Sequence, residues 1–184
     1  AIKWLADHDY LMMGTSGAQW KLGASNPDEA ITYSNATTKR QSAHGSKAIR
    51  AIMASDALLF VQDGGKKVRE LVPNPESINE KYIAPDLTIL AEHITGGSGV
   101  SIKQIALQQK PHAILWCVRS DGVLIGMTYE RHHDVVAWHR IVTDGDIETV
   151  AVIPGSGQED EIWIGVERTI DGSTKKYIER FKPF

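Results

Sequence analysis

The sequence has a single cysteine among 184 residues, few aromatic side chains (7%) and little net charge. Because Cys117 stands alone, an intramolecular disulfide framework and a zinc ribbon built from several cysteines are excluded. The 20 basic and 23 acidic side chains give a formal net charge of -3, so the whole chain offers no electrostatic reason to bind nucleic acid or an anionic membrane. A contact with DNA would need a local basic patch.

Long apolar runs and an initiator methionine are also missing. No apolar run approaches the ~20 residues that span a bilayer as a helix, so we expect no membrane partner. The sequence opens on Ala1-Ile2-Lys3-Trp4 and is strand-like from the second residue. We therefore expect the chain to be excised from a longer one. A chain of this length buries about 70% of its unfolded surface, so a substantial core needs no disulfide.

β-strand patterns fill most of the sequence. Short runs rich in β-branched and aromatic residues alternate with turn residues, which is typical of all-β proteins. Four Asp-Gly steps predict hairpin turns, because glycine accepts a positive φ without steric cost. The clearest runs are residues 114–118, 123–129, 135–142 and 161–166, and the steps are Asp63-Gly64, Asp121-Gly122, Asp144-Gly145 and Asp171-Gly172.

One segment, residues 84–95, carries the signals of a helix. Pro85 would lie in the first turn, Asp86 near the positive end of the helix dipole, and Gly96 would end the helix. The same residues are compatible with a strand followed by a glycine-rich loop. The sequence leaves both alternatives open and predicts at most one short helix.

An internal repeat is the most informative feature of the sequence. A unit of two strands, an Asp-Gly turn and a third strand begins near residues 2, 49, 102 and 147. The spacing of about 45 to 53 residues matches that of propeller blades, whereas the coils of a parallel solenoid have a shorter period. A small sheet with two apolar faces must bury them against neighbouring sheets. The sequence therefore predicts an all-β, β-propeller-like fold of about four antiparallel units with three to four strands each.

These units define the expected domain organisation. We expect a single propeller-like domain over residues 1–184, with repeat units at roughly 2–46, 47–99, 100–145 and 146–184. Four units are near the lower limit for a closed ring. Three arrangements remain open: the chain is part of a larger ring, it closes as four blades, or identical chains complete each other.

Some of the seven histidines are candidate metal ligands. His132 and His133 lie beside Asp134, with His139 a few residues further on. Neighbouring side chains of a strand point to opposite faces, so His132 and His133 should not converge on one ion. We interpret the pair as an exposed turn and His139 as a partly buried side chain bonded to a neighbouring strand. We expect no metal and no cofactor.

Candidate nucleophiles and acids have simple structural interpretations. The serines in residues 14–17 and 155–157 lie in glycine-rich turns and not in a nucleophile elbow. Cys117 lies inside an apolar run, where burial would raise its pKa and leave it unreactive. Acidic residues 159–161 are typical of a solvated loop. The sequence therefore predicts no catalytic residue and a protein that is not an enzyme.

Basic side chains cluster locally. Two pairs of lysines follow Asp-Gly turns in two different repeats, so we expect the same edge of two units to be positive. Lysines on outer strands deter aggregation between sheets, which is the simpler interpretation, and contact with DNA is the alternative. The candidate surface or partner contacts are Lys39, Arg40, Lys66, Lys67, His132, His133, Lys175 and Lys176.

Eight strings of residues carry a family resemblance: residues 4–10, 40–46, 82–88, 114–122, 128–131, 136–140, 150–155 and 177–180. Taken together, these strings resemble a family of phage and prophage structural proteins. The family is that of the tail nozzle and head-to-tail stabilisation, or connector, proteins of short-tailed phages. The resemblance extends over essentially the whole chain, which would correspond to a central fragment of such a protein.

The resemblance implies a non-enzymatic virion subunit with a β-propeller. Such a subunit assembles in the cytoplasm of the bacterial host as a ring of identical copies, together with other tail or portal proteins. The ring lines the genome exit path, so the passing DNA would make transient contacts. The alternative is a ligand-binding propeller that recognises a carbohydrate or a host-surface molecule, with exposed tryptophans stacking on sugars. Because Trp116 and Trp163 occupy equivalent positions in apolar strands, we expect this pair to pack in the core.

Overall fold

The computed structural model describes residues 1–26, 28–77 and 81–182, and it is all-β. Its described part contains four antiparallel sheets of three or four strands, which agrees with propeller-like repeats. Each sheet lies within one of the four repeat units read from the sequence, although residues 183 and 184 of the last unit lie outside the described residues. The chain divides into two compact units, Ala1–Thr88 and Ile89–Phe184. The single domain and the closure of a ring stay predictions.

The first compact unit contains two four-stranded sheets, in each of which sequence order equals spatial order. This order follows from short antiparallel connections between consecutive strands. The strands of the first sheet are β1 (Ile2–Asp7), β2 (Leu11–Thr15), β3 (Gln19–Ala24) and β4 (Ala36–Ser42). Those of the second are β5 (Ile52–Ala54), β6 (Ala57–Val61), β7 (Val68–Pro73) and β8 (Tyr82–Ile83).

An apolar core joins the two sheets of this unit. Trp4 of β1 packs against Phe60 of β6 with ring centroids 5.8 Å apart, and Met12, Leu58 and Leu71 are buried in the same cluster. All five residues of β6 are buried, as expected for a strand covered on both faces.

The second compact unit contains a four-stranded and a three-stranded sheet. The first of them has the order β12-β11-β10-β9 and the second the order β13-β14-β15. The strands are β9 (Ile102–Gln108), β10 (Ile114–Arg119), β11 (Leu124–Glu130), β12 (Val135–Ile141), β13 (Asp146–Ile153), β14 (Glu161–Ile170) and β15 (Ser173–Arg180).

The core of the second unit is formed by every second side chain along its central strands. Residues 114, 116 and 118 of β10 face residues 162, 164 and 166 of β14, so that isoleucine, valine and Trp116 interdigitate between the sheets. The Gln104 side chain of β9 joins the sheets at one side. Its amide nitrogen donates to the Val150 carbonyl (2.8 Å), and its oxygen accepts from the Val150 amide (3.2 Å) and the Thr149 hydroxyl (2.7 Å).

Three of the four Asp-Gly steps form hairpins. Gly64, Gly122 and Gly172 have φ values of 89°, 78° and 72° and connect the strand pairs β6/β7, β10/β11 and β14/β15. The hairpin expected at Asp144-Gly145 is wrong, because this step joins β12 to β13, which belong to different sheets. Position 145 requires glycine because the backbone of Glu167 lies close to it: a Cβ atom at this position would lie 2.4 Å from the Glu167 carbonyl oxygen.

The segment at residues 84–95 is mostly irregular. A single helical turn, α1 (Glu92–Thr95), forms at its end, and Asp86 makes an isolated bridge to Arg69. Asp86 also accepts a 2.7 Å bond from Lys67, which holds it in this position. The prediction of at most one short helix is confirmed for the described residues, apart from a 3-10 turn at Arg131–His133.

We predict that Gly126→Ala destabilises the second unit by about 1 to 3 kcal/mol, because overpacking displaces neighbours. The new Cβ atom would lie 2.5 Å from the His139 ring and 3.0 Å from the Trp116 ring. Gly157→Ala is the matched control, since a Cβ atom there meets nothing within 4 Å. Urea unfolding of both variants tests this, and equal stabilities would contradict it.

Candidate functional site

The second unit contains a cavity of about 830 Å³ between its two sheets. One wall comes from the four-stranded sheet, and the other from the start of β14, the end of β15 and the loop before β14. This volume lies in the range of ligand pockets in proteins. The side chains that define its shape are Gln108, Ile114, Trp116, His139, Ile141 and Phe181.

Trp116 organises the base of this cavity. Its ring is 3% exposed and makes edge-to-face contacts with His139 (centroids 5.5 Å apart) and Phe181 (5.6 Å). Its indole nitrogen donates to the Gln108 side-chain oxygen (3.0 Å), and the Gln108 amide in turn donates to the Lys110 carbonyl (2.8 Å). The buried polar atoms are therefore satisfied, and Trp116 is held rigidly.

Acidic side chains fix the rim of the cavity. The Asp160 carboxylate accepts the backbone amides of Gln109 (2.8 Å) and Lys110 (3.0 Å), which ties the loop before β14 to the end of β9. Glu161 accepts one bond from Arg180 (2.9 Å) and one from the Trp163 indole (3.0 Å). An apolar base with such a fixed polar rim suits a largely apolar ligand with a few polar groups.

His139 is half-buried and neutral at pH 7. It packs on Trp116 of a neighbouring strand, but its ring nitrogens have no hydrogen-bond partner among the described residues, which differs from the bonded histidine expected from the sequence. Burial lowers the pKa of the His139 imidazole below its ordinary value of 6.5. An uncharged imidazole therefore lines the cavity.

The other histidines lie apart from the cavity. His132 and His133 form the exposed 3-10 turn between β11 and β12, as expected for a turn, and Asp134 follows in the left-handed region (φ 54°). No cluster of three or more His, Cys, Asp or Glu side chains able to hold a metal ion occurs in the described part of the chain.

The basic candidates occupy different surroundings. Lys39 and Arg40 are exposed on β4, and Lys175 and Lys176 are exposed on β15. Lys66 lies in the β6–β7 turn, whereas the neighbouring Lys67 is half-buried in its ion pair with Asp86. This lysine pair does not lie on an outer strand edge, because residues 85–87 hydrogen-bond to the outer edge of β7 beside it: the Glu70 amide donates to the Pro85 carbonyl (3.3 Å), and the Leu87 amide donates to the Val68 carbonyl (3.0 Å).

Cys117 and Trp163 both belong to apolar runs of the sequence but differ in burial. Cys117 is fully buried, and burial raises the pKa of its thiol, as the apolar run predicted. Trp163 is not in the core, which corrects the expectation for the Trp116 and Trp163 pair. Ile162 and Ile164 face the core, so alternation turns Trp163 to the other face, where Arg180 lies 5.7 Å from its ring.

Sequence reasoning missed the cavity. His139, Ile141 and Phe181 are separated by up to about forty residues, and only the packing of two sheets brings them together. One feature of the sequence could have indicated the cavity. The last repeat unit is short enough to hold only three strands, whereas the neighbouring sheet has four.

No known protein-family model matches this chain, and no curated protein sequence matches it. Among the described residues no helix is both long and apolar enough to cross a membrane.

We predict that the second unit loses stability as the pH falls below about 6.5. The unfolded chain takes up a proton on His139 near that pH, whereas the folded chain resists it, so acid favours unfolding until the lowered pKa is passed. His139→Gln should weaken this dependence. The stability of the second unit is measured by hydrogen exchange of its peptides between pH 5 and pH 8, in the original protein and in the variant. If stability depends on pH equally in both proteins, the prediction is contradicted.

Proposed function

We propose that the chain is a non-enzymatic structural part of a phage virion. In this proposal it belongs to the tail nozzle or head-tail junction, where copies form a ring along the genome exit path with other tail or portal proteins. The resemblance described above supports the family. The observation in the structure that supports it most is a set of exposed aliphatic side chains on strands that are the outermost of their sheets among the described residues.

These aliphatic side chains lie on strands at the edges of their sheets. Ile2 and Leu5 of β1 are 60% and 51% exposed, and Ile178 of β15 is 81% exposed. On β12, Val135 and Val136 are 39% and 40% exposed. Single exposed aliphatic residues are ordinary, but several on the outermost strands of sheets are a hazard for aggregation unless a neighbour covers them. In a permanent assembly, the adjacent subunit would cover these aliphatic side chains.

The proposed mechanism is geometric. Rigid sheets, locked by contacts such as those of Gln104, would keep each copy in a fixed orientation to the next. A net charge of -3 would let the genome pass without being held, and exposed cations such as Lys39 and Arg40 would give only transient, salt-sensitive contacts with DNA. Assembly would take place in the bacterial cytoplasm.

We expect the protein to be present in purified virions in several copies per particle. Mass spectrometry of particles released from the host, followed by cryo-electron microscopy, tests this. Density for four-sheet subunits arranged in a ring below the portal is the expected result. Particles that lack the protein would contradict the proposal.

A ligand-binding module that recognises a carbohydrate or a host-surface molecule is the second candidate function, and the cavity favours it. The walls formed by Ile114, Ile141 and Phe181 suit an apolar or aromatic group. Sugar stacking on Trp116 has no support, because that ring is 3% exposed.

For this second candidate, a ligand at about 100 times its Kd should add about 2.7 kcal/mol to the unfolding free energy. A thermal-shift screen with glycans and small aromatic compounds measures this effect. Gly157→Trp should abolish it by narrowing the rim, while Gly17→Trp, which also has open space around the new Cβ atom, should leave it intact. If no compound raises the melting temperature, the second candidate fails.

A further inference from the structure

The cavity of the second unit has one wall without a charged side chain. This wall comes from the four-stranded sheet, and the side chains that it contributes are isoleucines, Trp116, Gln108 and the neutral imidazole of His139. The charged lining residues belong to the loop before β14, the start of β14 and the end of β15. They are Glu159, Asp160, Glu161, Arg180 and Lys182.

The charges of the opposite wall give no site for an ionic ligand group. Three acidic side chains line it against two basic ones, so an anion meets no excess of positive charge. Asp160 already accepts the Gln109 and Lys110 amides, and Glu161 already accepts a bond from Arg180. A charged group placed against the four-stranded sheet would lose its water without gaining a counter-ion, which is costly. A neutral ligand is therefore expected.

His139 is the polar side chain of the uncharged wall that has no partner among the described residues. The Trp116 indole is bonded to Gln108 (3.0 Å), and the Gln108 amide is bonded to the Lys110 carbonyl (2.8 Å). A neutral imidazole has one N–H donor and one acceptor nitrogen. A ligand without a polar group would bury this acceptor nitrogen unpaired, which weakens binding. A ligand hydroxyl beside His139 removes that penalty.

Aromatic rings surround this position. Trp116 meets His139 at an interplanar angle of 88° and Phe181 at 82°, both edge-to-face. His139 and Phe181 are half-buried, so part of each ring remains uncovered. A flat aromatic group can pack on these rings, and a cavity of about 830 Å³ has room for two fused rings.

We infer that the cavity binds a neutral phenol, whose hydroxyl donates to the acceptor nitrogen of His139 while its aromatic body packs on Ile141 and Phe181. A sugar fits less well, because several of its hydroxyl groups would face apolar walls without partners. The inference deepens the second candidate function and rests on it. It is independent of the proposed role in a virion.

A series of two-ring compounds is the first test. 2-Naphthol carries the hydroxyl, naphthalene lacks it, and 2-methoxynaphthalene keeps the oxygen without the donor. We expect 2-naphthol to bind the 184-residue chain about 10-fold more tightly than the other two. 2-Naphthoate, which adds a negative charge, should bind at least about 10-fold more weakly than 2-naphthol. Titrations followed by NMR give the Kd values.

Variants of His139 are the second test. His139→Phe should abolish the preference for 2-naphthol over naphthalene, while the affinity for naphthalene stays within about threefold. His139→Gln is the matched control, since its amide keeps a donor and an acceptor and should retain a preference of at least about threefold. A purely structural role of His139 would change both affinities alike, so the difference between the two compounds isolates the hydrogen bond. Circular dichroism verifies that the variants are folded.

The place of binding is the third test. Gly157→Trp should abolish binding of 2-naphthol, whereas Gly17→Trp should leave it intact. In the original protein, the imidazole resonances of His139 should shift more with 2-naphthol than with naphthalene. This measurement needs no substitution, so it decides the matter even where a variant does not fold.

Several results would overturn the inference. They are equal affinities for 2-naphthol and naphthalene, tightest binding of 2-naphthoate, and a preference for 2-naphthol that survives His139→Phe. Equal binding of the whole series that is lost in Gly157→Trp would reject the phenol but retain the cavity as a ligand site. If no compound of the series binds, the inference is wrong, and the glycan screen alone then decides the second candidate function.

Discussion

The central strands of this protein have apolar side chains on both faces, and the need to bury both faces governs the rest of the structure. All six residues of β10 and all five of β6 are buried. A single small sheet leaves one of its faces in water, so the strands are stable only when sheets pack on each other. In each compact unit one apolar core therefore spans two sheets, centred on Phe60 in the first and on Trp116 in the second.

The same constraint explains where the surface is available for binding. The core packs tightly around the central strands, while a three-stranded sheet beside a four-stranded one leaves incomplete packing at one end. His139 and Phe181 border the cavity there, and in the described part of the chain β15 is the outermost strand of its sheet. The cavity offers apolar walls formed by residues such as Ile114 and Phe181.

Particular residues show how far the sequence could lead. The Asp-Gly steps at residues 63, 121 and 171 located three hairpins, because a left-handed glycine after aspartate is a local requirement of the turn. Asp144-Gly145 has the same local signal but joins two sheets, where the carbonyl of Glu167 demands a glycine. The analogy with Trp116 predicts a core position for Trp163, whereas the register of β14 places Trp163 on the other face of the sheet. The cavity was not predicted, because its residues come from distant strands.

Local sequence patterns suffice to predict the all-β class, the four repeat units and the burial of Cys117. These depend on alternation, turn residues and local apolar runs, which act over a few neighbouring residues. Which sheets share a core, which described strands are the outermost of their sheets, and the meeting of Trp116, His139 and Phe181 at one cavity depend on the tertiary structure. Such contacts depend on sheet packing and strand register, and a shift of one residue would turn every side chain of a strand to the opposite face.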